Sequence, residues 1–236
     1  MEKEFIDHIK DLGKNLLFLV IPLIIIWGVF LYYSRFLITY LLNLFGFELT
    51  DLITISPFEG LNSMLSVSFT LAFLVMLPII LVTLIRFARD VFSKRVYNKT
   101  INVIGFSYLL VLAGVWFSVK IFCKLVFNSM SQYSIVNPAW TLESILSFAT
   151  KSSIMFALFF QIVLIIPFLV KLELLEIKWL TNKITRLSIF ISFFIISAVI
   201  TPQDLLSTFL MTAPLYICYE LGIIISKLIK REVKQW

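Results

Sequence analysis

The stretch TPQDLLSTFLMTAPLYICYE, residues 201–220, decides the fold. It reads as a polar turn feeding an apolar run, and it closes on a carboxylate, Glu220, inside a segment that is otherwise hydrocarbon. An ionisable group at membrane depth costs about 3 kcal/mol on insertion scales, so it faces protein or water rather than lipid. Glu220 and the turn residue Asp204 are therefore candidate site residues. The turn also has a plain reading, in which Thr201-Pro202-Gln203-Asp204 starts a helix with an acid near its N-terminus.

Composition extends this reading to the whole chain. Of its 236 residues 60% are hydrophobic and 14% charged, and the mean hydropathy is +1.00, outside the soluble range. Lipid cannot satisfy backbone N–H and C=O groups, which leaves helices or a closed barrel. Long apolar runs without period-2 alternation select helices. Outward from residue 201, the sixth run is 205–226, and the fifth is only 187–200. At 1.5 Å per residue the fifth rises about 21 Å, short of a hydrocarbon core of about 30 Å. Earlier runs at 16–38, 61–85, 103–127 and 148–170 complete six. Pro22, Pro78, Pro167 and Pro214 fall in spans one, two, four and six and predict bent helices. The expectation is an all-α membrane protein of one domain, 1–236, with six kinked transmembrane helices forming a concave, glove-like wall and short fifth and sixth helices.

The connections orient it. Residues 1–15 place Phe5, Ile9 and Leu12 at helical spacing among charges, an amphipathic surface segment without the basic head and cleavage site of a secretory signal. Residues 39–60 read as a polar-to-mixed connection ending in Ser56-Pro57-Phe58-Glu59, where the serine or the glutamate caps the next helix. Residues 128–147 are expected to lie flat at the interface. Of 20 Lys and Arg, all but Arg35, Lys120, Lys124 and Lys151 fall on the side of the termini, which the positive-inside rule makes the cis side. Basic residues confined to short loops beside spans argue against nucleic acid as a partner.

Chemistry is sparse. There is no nucleophile motif, glycine-rich phosphate loop or metal-ligand spacing, and His8 is the only histidine. Cys123 and Cys218 sit in apolar runs as small hydrophobes. Enzyme activity, a cofactor and a metal are not expected. What remains is Gln161, Glu220 and the Gln203-Asp204 turn. Either short helices thin the bilayer around these groups so that bulky cargo is handled there, or Gln161 and Glu220 simply hydrogen-bond between packed helices.

Four ordered segments resemble the TatC family, the multi-span core of the twin-arginine protein translocase. They are Thr201-Pro-Gln-Asp-Leu-Leu-Ser with Pro214-Leu-Tyr-Ile-Cys-Tyr-Glu220; Phe5-Ile-Asp-His8-Ile-Lys-Asp11-Leu, similar to F-x-x-H-L-x-E-L-R; Ser56-Pro57-Phe58-Glu59, matching S-P-x-E; and Leu77-Pro78 followed by Arg86-Phe87. The resemblance implies transport of folded proteins across an energised membrane, with TatA- and TatB-like single-span partners, membrane lipid around it and a homo-oligomer as a further association. It implies a signal-peptide surface at His8, Asp11, Lys14, Arg86 and Phe87, a concave docking face at Gln161, Tyr219 and Glu220, and trans-side loops at Ser56, Pro57, Glu59, Pro202 and Asp204. Paired signal arginines want carboxylates in fork geometry. Asp11 occupies one family position, but the second is Val96. Gly13 stands for an arginine, Asp90 for the loop proline and Gln161 for a fourth-span glutamate; Asp90 offers a carboxylate from a different turn. The alternatives are a scaffold protein derived from that family and a small secondary transporter with Glu220 and Gln161 at the midplane. The 24 phenylalanines and the many Ile and Leu fit an AT-rich organelle genome, and with the lost charges favour a mitochondrial inner membrane over a bacterial cytoplasmic one, with a thylakoid last.

Overall fold

Every apolar run of the sequence is helical in the computed structural model, which describes residues 17, 19–48, 52–92, 100–133, 140–172, 174–201 and 205–233. The helices are α1 (Leu19–Tyr32), α2 (Ser34–Phe45), α3 (Glu59–Phe92), α4 (Thr100–Phe117), α5 (Cys123–Tyr133), α6 (Leu142–Phe160), α7 (Ile162–Lys171), α8 (Ile177–Leu180), α9 (Lys183–Ile200) and α10 (Leu205–Val233). A π-helical turn, Ser118–Phe122, joins α4 to α5. Among the described residues five helical segments are long and apolar enough to cross a membrane, and a sixth exists if the bent pair α1–α2 is one span. Among the described residues there is no strand, only a β-bridge between Ile53 and Thr141.

Contacts group the chain into two units: residues 1–109 with 141–147, and residues 110–140 with 148–236. In the first, the span expected at 16–38 is not one rod. It breaks at Tyr33, whose φ of −90° and ψ of 6° lie in the sparsely allowed bridge region, and α2 leaves at 69° to α1. The connection expected at 39–60 is likewise corrected, because α2 occupies its first part. Ser34, Ile38, Leu42 and Phe45 recur at helical spacing, form the buried stripe of α2, and pack it on α3. Gly46 ends the helix at φ 85°, with the Phe47 N–H donating to Leu42 O and the Gly46 N–H to Asn43 O, a Schellman turn. A Cβ at Gly46 meets open space, so Gly46→Ala carries backbone strain alone. It is expected to cost about 1 kcal/mol, read as a lowered unfolding midpoint in detergent.

α3 begins in a capping box. The Glu59 carboxylate accepts from the Ser56 N–H at 3.3 Å and the Ile55 N–H at 3.0 Å, while Ser56 Oγ accepts from the Phe58 N–H at 3.3 Å. Pro78 inside α3 leaves the Leu74 carbonyl without its helical donor. One residue on, the Val75 carbonyl accepts from the Tyr108 hydroxyl of α4 at 3.1 Å.

The second unit packs on small residues. At Gly114 the α6 backbone comes so close that an added Cβ would lie 2.8 Å from Phe156 O. At Gly222 it would lie 3.2 Å from Ile162 O of α7. Without a hydrophobic drive between helices in lipid, this close packing and buried hydrogen bonds hold the bundle. Ser118 Oγ lies 3.1 Å from Ser152 Oγ, and Cys123 Sγ 3.3 Å from the same hydroxyl, in the seam between the π turn and α6. Both cysteines are free and buried.

The expected short helices are met in one case. α9 has 18 residues, while α10 has 29. The apolar run of α10 ends near Leu228, but Lys and Arg are good helix formers, so the basic tail extends the helix past its hydrophobic length.

Candidate functional site

Glu220 is built into the hairpin of α9 and α10. Successive rungs between the two helices set the register. They are Thr201 Oγ1 to Thr208 Oγ1 at 3.0 Å, the Phe194 and Phe209 rings at 5.2 Å, the Phe190 and Tyr216 rings at 5.6 Å, and Arg186 to Glu220. At the last rung Arg186 Nη2 donates to Glu220 Oε2 at 2.8 Å, and the Tyr216 hydroxyl, one turn back on α10, donates to Oε1 at 2.9 Å. The side chains are 37% and 27% exposed respectively.

This geometry places the carboxylate beside the first turn of α9, because Arg186 is the fourth residue of that helix. The depth expected for Glu220 from its own helix is thus shifted toward the basic end of the hairpin. A charged pair with an added phenol donor is a hydrogen-bonded ion pair of the stronger kind, yet it is not a fork. Arg186 engages Glu220 through Nη2, and its buried Nε has no hydrogen-bond partner. The guanidinium therefore retains an unused donor on its buried side.

Tyr219 and Gln161 are placed differently. Tyr219 is 2% exposed, and its hydroxyl donates to Leu180 O at 2.8 Å, tying α10 to the short helix α8. Gln161 is 1% exposed at the junction of α6 and α7. There the ladder tightens, with its N–H donating to Leu158 O, and its carbonyl accepts from both Leu164 and Ile165. Of the three residues expected on a docking face, Glu220 is the one with partial exposure.

Ser56, Pro57 and Glu59 form the capped start of α3 described above. His8, Asp11, Lys14, Pro202 and Asp204 lie outside the described residues, as do Gly13, Asp90's side chain and Val96. Arg86 and Phe87 belong to the last turns of α3, with side chains outside the described ones. Sequence reasoning placed Arg186 only in a basic loop and passed over Tyr216. The signal was present: an arginine just inside one arm of a hairpin, level with an acid the same distance from the turn on the other arm.

An apolar groove of about 490 Å³ runs along α10 at Pro214, walled by Phe117, Leu206, Phe209, Leu210, Ala213 and Ile217. No group of three or more His, Cys, Asp or Glu able to hold a metal occurs among the described residues.

Known proteins match this chain over most of its length. The family model for the Sec-independent protein translocase protein TatC matches residues 7–214. Among relatives, TatCy of Bacillus subtilis (strain 168) is 29% identical over 99% of this chain and 92% of its own length. TatC of Aquifex aeolicus (strain VF5) is 25% identical over 97% of each. A crystal structure of the twin-arginine translocase receptor TatC in DDM superimposes with a TM-score of 0.83 at 24% identity, covering 93% of this chain and 99% of that one. A second crystal structure of that receptor gives 0.81 at 25% identity, covering 94% and 98%. The family match over most of the chain, the relatives aligned along nearly its whole length and the shared helical fold agree, and the chain belongs to the TatC family, multi-pass membrane proteins that are core components of the Sec-independent protein translocase.

Proposed function

We propose that this protein is the receptor subunit of a twin-arginine-type translocase, binding the signal peptide of a folded cargo at its cis face and docking single-span partners along α10. The observation that carries the reading is the partly exposed Arg186–Glu220–Tyr216 group, a polar contact point in a hairpin whose neighbouring rungs are aromatic or small. Asp11, with His8, Lys14, Arg86 and Phe87, supplies the signal-peptide surface. One carboxylate there in place of two weakens bidentate capture of the second arginine. The groove at Pro214 is apolar, with a volume of about 490 Å³, which supports docking of a TatA- or TatB-like span.

The pairing of Glu220 with the first turn of α9 counts against a midplane substrate site of a secondary transporter. A mitochondrial inner membrane is supported by composition alone, whereas the relatives named above are bacterial and support a cytoplasmic membrane. Asp11→Ala is expected to abolish export of a folded reporter fused to a paired-arginine signal. Crosslinks from position 11 to that signal are expected in the parent protein. Undiminished export by the variant removes the signal-peptide role.

A further inference from the structure

A cleft in the first unit, far in sequence from the Glu220 hairpin, holds polar atoms that the fold leaves unused. About 400 Å³ in volume, it is lined by Trp27 of α1, Asn62, Ser63, Ser66 and Phe69 of α3, and Glu143 at the start of α6, among others. The Ile53–Thr141 bridge ties the approach to α3 to the start of α6 and brings these walls together. Three buried side-chain atoms at this end of α3 have no hydrogen-bond partner: Trp27 Nε1, Ser63 Oγ and Glu59 Oε2. Ser63 is 2% exposed and lines the cleft, and Glu59, one turn earlier on α3, is 5% exposed.

Each orphaned group costs about 1–3 kcal/mol, so native structures seldom leave two such atoms in the lining of one cleft, here those of Trp27 and Ser63, without an occupant. Their chemistry restricts that occupant. The indole N–H only donates, and the serine does either. Glu143 supplies the carboxylate on the cleft wall. The occupant must therefore present an acceptor and a cationic donor within one small group. The mouth gives its remaining character. Phe69 is 44% exposed and meets the Trp27 ring edge-on at 6.1 Å, so the cleft opens beside an apolar side chain that faces hydrocarbon in a spanning helix. A volume equal to roughly a dozen waters, open to lipid, is poorly suited to a water cluster and well suited to a tethered polar head.

We propose that this cleft binds the headgroup of an amine-bearing, zwitterionic phospholipid. Its phosphate accepts hydrogen bonds from Trp27 Nε1 and Ser63 Oγ, its ammonium pairs with the Glu143 carboxylate, and its acyl chains leave past Phe69. The leaflet concerned is the one at the Ser56–Glu59 end of α3. A quaternary amine fits worse because it has no N–H to donate, and a glycerol headgroup fits worse because it brings no cation.

The test is native mass spectrometry of the full-length protein, purified in detergent and exchanged against an ethanolamine, a choline or a glycerol phospholipid of identical chains, or against free glycerophosphoethanolamine. The ethanolamine lipid is expected to be retained about tenfold better than the other two lipids and than the free headgroup. Trp27→Phe keeps the ring against Phe69 but removes the N–H, and Glu143→Gln removes the charge. Glu143→Gln is expected to erase that preference while leaving retention of the glycerol lipid unchanged, and Trp27→Phe, which removes a donor to the phosphate that all three lipids share, to lower retention of all three several-fold. Thermal unfolding without added lipid confirms that the variants are folded, and Trp27→Phe decides the matter if Glu143→Gln does not fold. Equal retention of the three lipids, equal retention of the free headgroup, a preference that survives Glu143→Gln in the folded protein, or retention of all three lipids undiminished by Trp27→Phe would each overturn the proposal.

Discussion

Gly114→Leu is expected to abolish accumulation of the folded protein, and Gly114→Ala to destabilise it by about 2 kcal/mol. The reason is backbone, not side chain. An added Cβ would lie 2.8 Å from Phe156 O, 2.9 Å from its carbonyl carbon and 3.0 Å from Ala157 Cα, none of which can rotate away. One methyl forces α4 and α6 apart, and overpacking of that kind costs about 1–3 kcal/mol. Separation also loosens the neighbouring Ser118–Ser152 contact, because that hydroxyl pair lies one turn further along the same seam. A leucine adds three more carbons where none fits. Size-exclusion profiles of detergent extracts and unfolding midpoints measure both effects. Gly105 serves as the control, since a Cβ there meets nothing within 4 Å. A Gly114→Leu protein that elutes and melts like the parent contradicts this account of the packing.

Glu220→Ala is expected to reduce export of a folded reporter at least tenfold while the protein still accumulates. Removing the carboxylate leaves the Arg186 guanidinium and the Tyr216 hydroxyl without the acceptor they share. Breaking a buried pair costs about 3–5 kcal/mol and an exposed one about 0–1. With side chains 37% and 27% exposed, this pair belongs between those limits, at about 2 kcal/mol of stability. The double variant Arg186→Ala with Glu220→Ala is expected to be more stable than the two single losses add up to, since no charge is then stranded. Export is not expected to recover with it. A double variant that restores both stability and export would reduce the pair to packing.

Much of this architecture is legible without coordinates because lipid removes the alternatives to helix. The runs at 61–85 and 187–200 needed only their hydropathy. Ser56 and Glu59 were legible as a cap because a serine three residues before a glutamate satisfies two orphan donors at once. What hydropathy misses is direction. Residues 16–38 look continuous, yet the chain bends 69° at Tyr33, since an apolar count is the same for one straight rod and two joined ones. α2 escaped notice because its stripe, Ser34 to Phe45, is narrow and its other face is mixed. α10 outran its apolar residues because basic side chains prolong a helix as readily as leucine does.

The candidate site was half legible. Glu220 announces itself by cost, but its partner does not, because Arg186 sits among loop lysines that topology alone explains. The resemblance implied a docking face at Tyr219 and Gln161, while the residues alone left Gln161 open as a tie between packed helices; in the fold both side chains are enclosed. Polar residues in a membrane bundle serve as helix ties as easily as contact points, and only the hydrogen-bond partner separates the two uses. Tyr219 is such a tie, through Leu180 O. Trp27 and Ser63 carried no signal in the sequence, since a tryptophan and a serine within apolar spans are ordinary until their buried polar atoms are seen without partners.

Transport of a prefolded reporter into energised membrane vesicles made from cells with and without this chain tests the central claim most directly. Uptake is predicted to require the chain and the membrane gradient together, to depend on the paired arginines of the reporter's signal, and to fall at least tenfold with Glu220→Ala. Uptake that continues unchanged when the chain is removed would contradict it.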